Sequence, residues 1–440
     1  MLNDDFLIKV NGGKDLHDCP SYVGPHPGNV NEIIPVCFYG RSGTTFFMSL
    51  LDGHPEIITA GDCEFREYFK RFDFIVGNGV VQNQLRNALL HYARNLEYEG
   101  KNCNNYVEIG GRRIHIPATL CFANEKPENG ELFYIPPKED DEYKYQGPYI
   151  GYFISIFLKM VERFFGDVNK VSLSEKDFFV IFILAYNWSI GRQYSESASK
   201  IAWNMHIPCS TVARNAQSKF PKITLIHMIR KPLQSLGSHF KRYMNPTKGM
   251  EPNIPVHAYV VKLFAEQLNG DTPLIECRPA DDEFAIRLED IHSSPRETLG
   301  NIAGRLGVAW SGSLLESAFF GKVLEWKGSS YRQTIVGFST EHLKDDHPDI
   351  FSAEDARFIE SLFYDNYKKW GYKLSNDITY EESRDYVSKR IPVPMKMEVL
   401  CWEKSCQEGV SRVEVVKSYN LLRDALEKRI IDGGELLELM

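Results

Sequence analysis

Long apolar runs are missing from this chain. None of its 440 residues belongs to a stretch approaching the roughly 20 consecutive apolar residues that cross a bilayer. The opening Met1-Leu2-Asn3-Asp4-Asp5-Phe6 has neither the basic start nor the apolar core of a secretion signal, so a cytoplasmic protein without a membrane span is expected. Paired cysteines are missing as well. Nine are scattered from Cys19 to Cys406 with no zinc-type spacing and no disulfide framework, which predicts reduced thiols and no metal. Positive charge is not in excess: the formal net charge of -8 argues against a nucleic-acid partner, while leaving room for a local basic groove that takes an anion. Internal repeats and low-complexity tracts are absent too. What remains, 43% hydrophobic and 25% charged residues, is the composition of a globular protein, and the length suits one elaborated α/β domain.

The stretch with the clearest chemistry is Ile33-Ile34-Pro35-Val36-Cys37-Phe38, then Tyr39-Gly40-Arg41-Ser42-Gly43-Thr44-Thr45, then Phe46-Phe47-Met48-Ser49-Leu50-Leu51. It reads as a strand, a tight glycine-containing loop and a helix whose first turn carries hydroxyls. Such an order cradles an anion, because loop N–H groups and the positive end of the helix dipole converge. A nucleotide triphosphatase loop would end in Gly-Lys-Ser/Thr. Here Gly43-Thr44-Thr45 fills that slot without a lysine, and the cation is Arg41, inside the loop. The cradle suits one phosphate and one fixed positive charge, with no provision for a metal. The bland alternative is an ordinary strand–turn–helix junction with a chance arginine.

Further along, Ile57-Ile58-Thr59-Ala60 reads as a short strand leading to Gly61-Asp62-Cys63-Glu64. Chemistry in α/β folds sits beyond strand ends, so Asp62 and Glu64 are candidate carboxylates; a helix N-cap and a first-turn acid are the structural alternatives. Val80–Tyr98 has a helical period, Tyr106–His115 alternates like a strand, and Pro117–Gly147 reads as a long loop. Tyr149–Phe165 and Lys176–Tyr194 follow as apolar, aromatic helices. Lys200–His206 reads as a strand. Ile223–Ile229 is another, closed by Arg230-Lys231-Pro232 and followed by a helix carrying Ser235, Ser238 and Arg242; Ser238 and Arg242 share one helical face. A strand over Phe284–Asp290, a helix from Ser294 to Leu306, an amphipathic helix over Ala353–Trp370 and a helix from Val413 to Ile431 complete the pattern.

These motifs together resemble the sulfotransferases that use 3′-phosphoadenosine 5′-phosphosulfate (PAPS). The loop Tyr39–Thr45 and Leu50-Leu51-Asp52-Gly53-His54-Pro55 are similar to that family's 5′-phosphosulfate loop and its sequel. Arg230, Ser238 eight residues on, and Arg242 four beyond match its 3′-phosphate motif. The family's "Arg-Tyr-Glu-Asp-Leu" run is approximated at Arg287-Leu288-Glu289-Asp290, with Leu288 in the tyrosine position. Trp326–Arg332 and Gly337-Phe338-Ser339 resemble the late loop over the nucleotide, bringing in Ser330 and Arg332. The resemblance covers about residues 31–64 and 200–372.

It implies an α/β fold, a mostly parallel central sheet of P-loop type flanked by helices, with a large mainly helical insertion. In that frame residues 1–30 are an extended lead-in, 31–375 the catalytic domain with its acceptor-side insertion over 65–200, and 376–440 a C-terminal extension. The implied reaction moves a sulfuryl group from PAPS to a hydroxyl or amine of a small molecule or glycan, releasing adenosine 3′,5′-bisphosphate, with no metal. Arg41 and the loop residues Ser42, Gly43, Thr44 and Thr45 would bind and stabilise the leaving phosphate. The base would be His206, in Met205-His206-Ile207-Pro208, or else Asp62 or Glu64. Two rivals stay open: a P-loop kinase or other nucleotide-binding protein, and a PAPS-binding protein without catalysis. The one-sided C-terminal helix is a candidate homodimer contact, with packing back on the core as the alternative.

Overall fold

Residues Ile33 to Cys37 are apolar without alternation because the strand they form is covered on both faces, as parallel strands are. The computed structural model describes residues 22–38, 42–59, 105–109, 112–116, 134–135, 142–145, 150–167, 171, 173–206, 218–244, 282–323, 337–340, 343 and 347–432 save 376 and 408. Strand β1 (Glu32–Phe38) leads through the glycine loop into helix α1 (Thr44–Asp52) and then β2 (Ile57–Ile58). The insertion contributes β3 (Asn105–Ile109), β4 (Arg112–Ile116), β5 (Tyr134–Ile135), β6 (Glu142–Tyr145), α2 (Ile150–Phe165) and α3 (Glu175–Ser189). The core resumes with β7 (Lys200–His206), β8 (Lys222–Ile229), α4 (Pro232–Met244), β9 (Asp282–Arg287), α5 (Leu288–Ser293) and α6 (Pro295–Leu306).

The central sheet has the order β2-β7-β1-β8-β9 and is parallel throughout. After β1 the chain moves to one side of the sheet for β2 and β7, then crosses to the other for β8 and β9. β1 therefore sits at the topological switch point, outside whose carboxyl end ligands bind in open α/β sheets. Residue parity sorts the layers. Ile33, Cys37, Ile201, Trp203, Met205, Ile223 and Leu225 face α2 and α3, in one apolar cluster. Ile34, Val36, Ala202, Ile226 and Met228 face α1, α5 and α6, in another. Alternate residues taking opposite faces is the two-residue period of a strand.

The base of the sheet holds a buried charge. The Glu32 carboxylate accepts from Lys200 Nζ at 2.7 Å, Lys222 Nζ at 3.1 Å and the Thr224 hydroxyl at 2.7 Å, tying the starts of β1, β7 and β8 together.

Three expectations need correction. Pro117–Gly147 is not all loop: β5 and β6 lie within it and join β3 and β4 in a separate sheet of order β3-β4-β6-β5. Their two- and four-residue lengths, amid prolines and acids, left no alternation to detect. The strand expected over Phe284–Asp290 stops at Arg287, because Glu289 and Asp290 fall in the first turn of α5, where acids favour a helix. Ala353–Trp370 is two helices, α7 (Ala353–Leu362) and α8 (Tyr364–Lys369), and Phe363 at the break and Tyr367 beyond it enter the same apolar cluster. Between α6 and α7 lies a small hairpin, β10 (Ala318–Phe319) with β11 (Lys322–Val323). The helix expected over Val80–Tyr98 lies outside the described residues.

Three more helices, α9 (Tyr380–Arg390), α10 (Lys396–Gln407) and α11 (Arg412–Asp432), follow. Val387, Met397, Cys401, Leu422 and Leu426 share one buried cluster with Leu233, Leu236 and Phe240 of α4 and Phe358 of α7. Of these helices α9 packs on α7, which packs in turn on α4, the helix that carries Ser238. Among the described residues no helix is long and apolar enough to cross a membrane.

Candidate active site

Strand register fixes what meets at the carboxyl edge of the sheet. Phe38, the last residue of β1, lies beside both His206 and Met228. Ile229, the last residue of β8, lies beside Arg287. The loop after β1, the end of β7, Arg230 and the start of α5 therefore open onto one edge.

Gly43 is the hinge of that loop. It has φ 88° and ψ 17°, the left-handed region that glycine enters without the Cβ penalty, and it is the N-cap of α1 without any side-chain cap. A second constraint comes from across the sheet: a Cβ on Gly43 would lie 2.5 Å from Leu288 Cδ1. Leu288, which stands where a tyrosine was expected from the resemblance, is thus the floor on which the loop rests. Ser42 and Thr44 are buried and their hydroxyls are 3.2 Å apart. With no side chain capping the first turn, the leading N–H groups of α1 and its dipole end suit an anion. Thr45 is half-buried beside them.

The first turn of α1 is also covered by ring packing. Phe46 stacks on His292 of α5 with centroids 4.8 Å apart and planes 6° from parallel, and Phe338 meets both edge-on. Ser339 N–H donates to His292 Nδ1 at 3.3 Å. The late segment 337–340 is thereby held against the glycine-loop helix. His292 itself gave no signal in the sequence.

Downstream of α1 the turn at His54-Pro55 is pinned. Buried His54 accepts from Glu56 N–H through Nδ1 and donates from Nε2 to the Ala309 carbonyl at 2.9 Å. Asp52 anchors the end of α1: its carboxylate accepts from Arg192 Nη1 at 2.7 Å, from the Thr59 hydroxyl and from Gly321 N–H at 2.7 Å. Thr59 is held further by Tyr194, whose hydroxyl accepts from its N–H and donates to its carbonyl, and by Asn187 Nδ2. Burial, with the Asp52 charge nearby and only partly offset by Arg192, pushes the Tyr194 phenol up to about 12, so it stays protonated and able to donate. This network fixes the strand that leads toward Asp62.

On the other side of β1, Arg230 is 9% exposed at the end of β8 and Ser238 is 2% exposed on α4. Arg230, Lys231 and Pro232 form the turn into α4, and Lys231, whose carbonyl accepts from Gln234 and Ser235 N–H, is its N-cap. Gly237, beside Ser238, is required by close approach: a Cβ there would lie 1.9 Å from the His347 ring. A carboxylate from α5 joins this turn to the end of α8. Glu289 Oε1 accepts from Lys231 N–H at 3.0 Å and Oε2 from the Tyr372 hydroxyl at 3.0 Å. Burial, then the neighbouring Glu289 charge, raise the Tyr372 phenol far above its usual range, so it serves as a donor. Arg287 pairs with Asp290 at 2.7 Å and donates to the Trp370 and Gly371 carbonyls, closing the same junction.

Of the residues singled out from the sequence, Ser42, Gly43, Thr44, Thr45 and Arg230 lie at the carboxyl edge of the sheet, and Ser238 is buried on α4, the helix that follows Arg230. His206 ends β7 at that edge and Arg242 lies on α4, the side chains of both being outside the described set. Arg41, Asp62, Glu64, Ser330 and Arg332 also lie outside the described residues.

No protein-family model matches the chain, and no curated protein matches it. Among solved structures it is similar to the sulfotransferase domain of the curacin biosynthetic pathway, at 13% identity over 84% of this chain and 98% of that one, with a TM-score of 0.33. It is also similar to the sulfotransferase domain of the Synechococcus PCC 7002 olefin synthase, at 13% identity over 84% and 97% of the two chains, with a TM-score of 0.30. A third likeness is to sulfotransferase STF9 from Mycobacterium avium, at 12% identity over 70% and 69%, with a TM-score of 0.28. Sulfotransferase domains are therefore among the solved structures this chain is similar to, and any activity has to be argued from the residues above.

Proposed function

We propose that the chain is a PAPS-dependent sulfotransferase acting on a hydroxyl or amine of a small-molecule or glycan acceptor. The observation that carries this reading is the pairing of two anion-binding features at the edge beside β1. One is the uncapped N-terminus of α1 behind Gly43; the other, one strand away, is buried Arg230 with buried Ser238. A donor with phosphate groups at its 5′ and 3′ ends matches two such features, and a single cradle would serve only one. The residues present fit it: the first turn of α1 has no side-chain cap on its backbone donors, and Arg230 offers a planar fork for phosphate oxygens.

In this reading Ser42, Gly43, Thr44 and Thr45 hold the 5′ end, with Arg41 beside them. Arg230, Ser238 and Arg242 hold the 3′-phosphate, and Ser330 and Arg332 close over the nucleotide. PAPS supplies an activated sulfuryl group on a phosphate leaving group. Charge develops on that phosphate; the amides of Gly43, Thr44 and Thr45 would meet it, and Arg41 of the same loop sequence would supply the cation, a contribution of about 10²–10³ in rate for one such donor. A base takes the acceptor proton, a contribution of about 10²–10⁴. His206, at the end of β7 beside the loop strand, is the first choice, with Asp62 and Glu64 as the alternatives. The missing lysine after Gly43 weighs against a nucleotide triphosphatase.

The test is transfer of radiolabelled sulfate from PAPS to a panel of phenols, alcohols, amines and free glycans. It uses wild type and the single variants His206→Ala, Asp62→Asn and Glu64→Gln. Transfer by wild type, with one variant at least 100-fold slower, supports the reading and names the base. Bound nucleotide with no transfer to any acceptor class would leave a binding protein.

A further inference from the structure

The turn that carries Arg230 is capped in an unusual way. In a capping box the N3 side chain of a helix reaches back to the N-cap amide. The N3 residue of α4 is Gln234, and its side-chain amide donates instead to the Leu343 carbonyl. The N-cap amide, Lys231 N–H, is taken by Glu289 from α5, across two strand ends. The same carboxylate is fixed on its other oxygen by the Tyr372 hydroxyl. The peptide between Arg230 and Lys231 is thereby clamped from outside its own helix.

We infer that Glu289 is a positioning residue for recognition of the 3′-phosphate, acting by holding the Arg230–Lys231 peptide so that Arg230 and Ser238 face one anion. This rests on the nucleotide reading above. A carboxylate close to a phosphate site repels the ligand. Here both oxygens accept from fixed donors, which stabilise the charge and aim it away along those bonds, so what the acid contributes is geometry. An amide oxygen at the same place would still accept from Lys231 N–H.

The experiment is calorimetric titration of the full chain with adenosine 3′,5′-bisphosphate and with adenosine 5′-monophosphate, in wild type, Glu289→Ala and Glu289→Gln. Wild type is expected to prefer the bisphosphate. Glu289→Ala is expected to lose about tenfold of that preference with monophosphate affinity unchanged, and Glu289→Gln to keep most of it. An equal loss for both ligands, or no loss for either, overturns the inference and leaves the nucleotide reading standing. A wild type without any preference for the bisphosphate overturns both. Should Glu289→Ala fail to fold, Tyr372→Phe decides: it removes the second anchor of the carboxylate, so a selective loss of bisphosphate affinity is expected and its absence refutes the role.

Discussion

Gly43 shows how one residue can be specified twice. Its left-handed backbone excludes most side chains on local grounds, and Leu288, 245 positions away, excludes a Cβ on tertiary grounds. Gly43→Ala is therefore expected to cost about 2 kcal/mol or more in stability and to weaken nucleotide binding at least tenfold. Denaturant unfolding and calorimetry would measure the two. Leu288→Ala is costly by itself, because Leu288 is buried in the core, but the two substitutions together should cost less than the sum of the singles, because the contact is removed and only the strain remains. If Gly43→Ala behaves like wild type in both measurements, the loop does not rest on Leu288. The glycine was legible in the sequence through its neighbours Arg41, Ser42, Thr44 and Thr45. Leu288 was noticed only for the hydroxyl it lacks, since the floor it provides depends on how β9 sits two strands from β1.

At the scale of elements, the legible parts were those with a local signal. β1 announced itself as an unbroken apolar run, β7 and β8 as short, largely apolar stretches, and α2, α3 and α11 through helical period. What escaped was long-range and polar: Asp52 with Arg192, Lys231 with Glu289, His54 with Ala309. No residue in such a pair is unusual in its own neighbourhood, and only strand order brings the partners together. The Glu32 cluster is another case, and it makes a pH prediction. Burial alone would raise the Glu32 carboxyl, but the Lys200 ammonium and the Thr224 hydroxyl more than reverse this and hold it below the usual carboxylate range. A depressed acid stabilises the fold above its unfolded pKa, and the contribution is lost as pH falls through the folded value. Wild type should therefore exceed Glu32→Gln by about 2 kcal/mol at neutral pH, with the gap closing as pH drops below about 4.5. Denaturant unfolding across that range tests it; a gap that stays constant would show that the charge of Glu32 is not what joins the three strands.

For the molecule as a whole, the sheet divides the work. Its amino edge is locked by Glu32 and its lysines, while its carboxyl edge carries the glycine loop, the end of β7 and the Arg230 turn. Helix α9 packs on α7 and α7 on α4, and the Glu289–Tyr372 bond ties the end of α8 to the Arg230 turn. The sequence signalled this arrangement only in outline, as a parallel sheet with a cradle at β1; the apolar cluster that joins α4, α7 and the C-terminal helices draws on residues spread between positions 233 and 426, with no motif of their own. In the proposed function, the edge beside β1 takes a nucleotide bearing both 5′- and 3′-phosphates. Calorimetric titration of adenosine 3′,5′-bisphosphate into wild type and Arg230→Ala, with ATP–Mg²⁺ as the control, tests it directly. Wild type is expected to bind the bisphosphate, Arg230→Ala to bind it at least 100-fold more weakly, a loss of the order expected for a buried charge-assisted contact, and neither to respond to ATP–Mg²⁺. Binding of ATP in preference to the bisphosphate, or equal binding by both proteins, would contradict it.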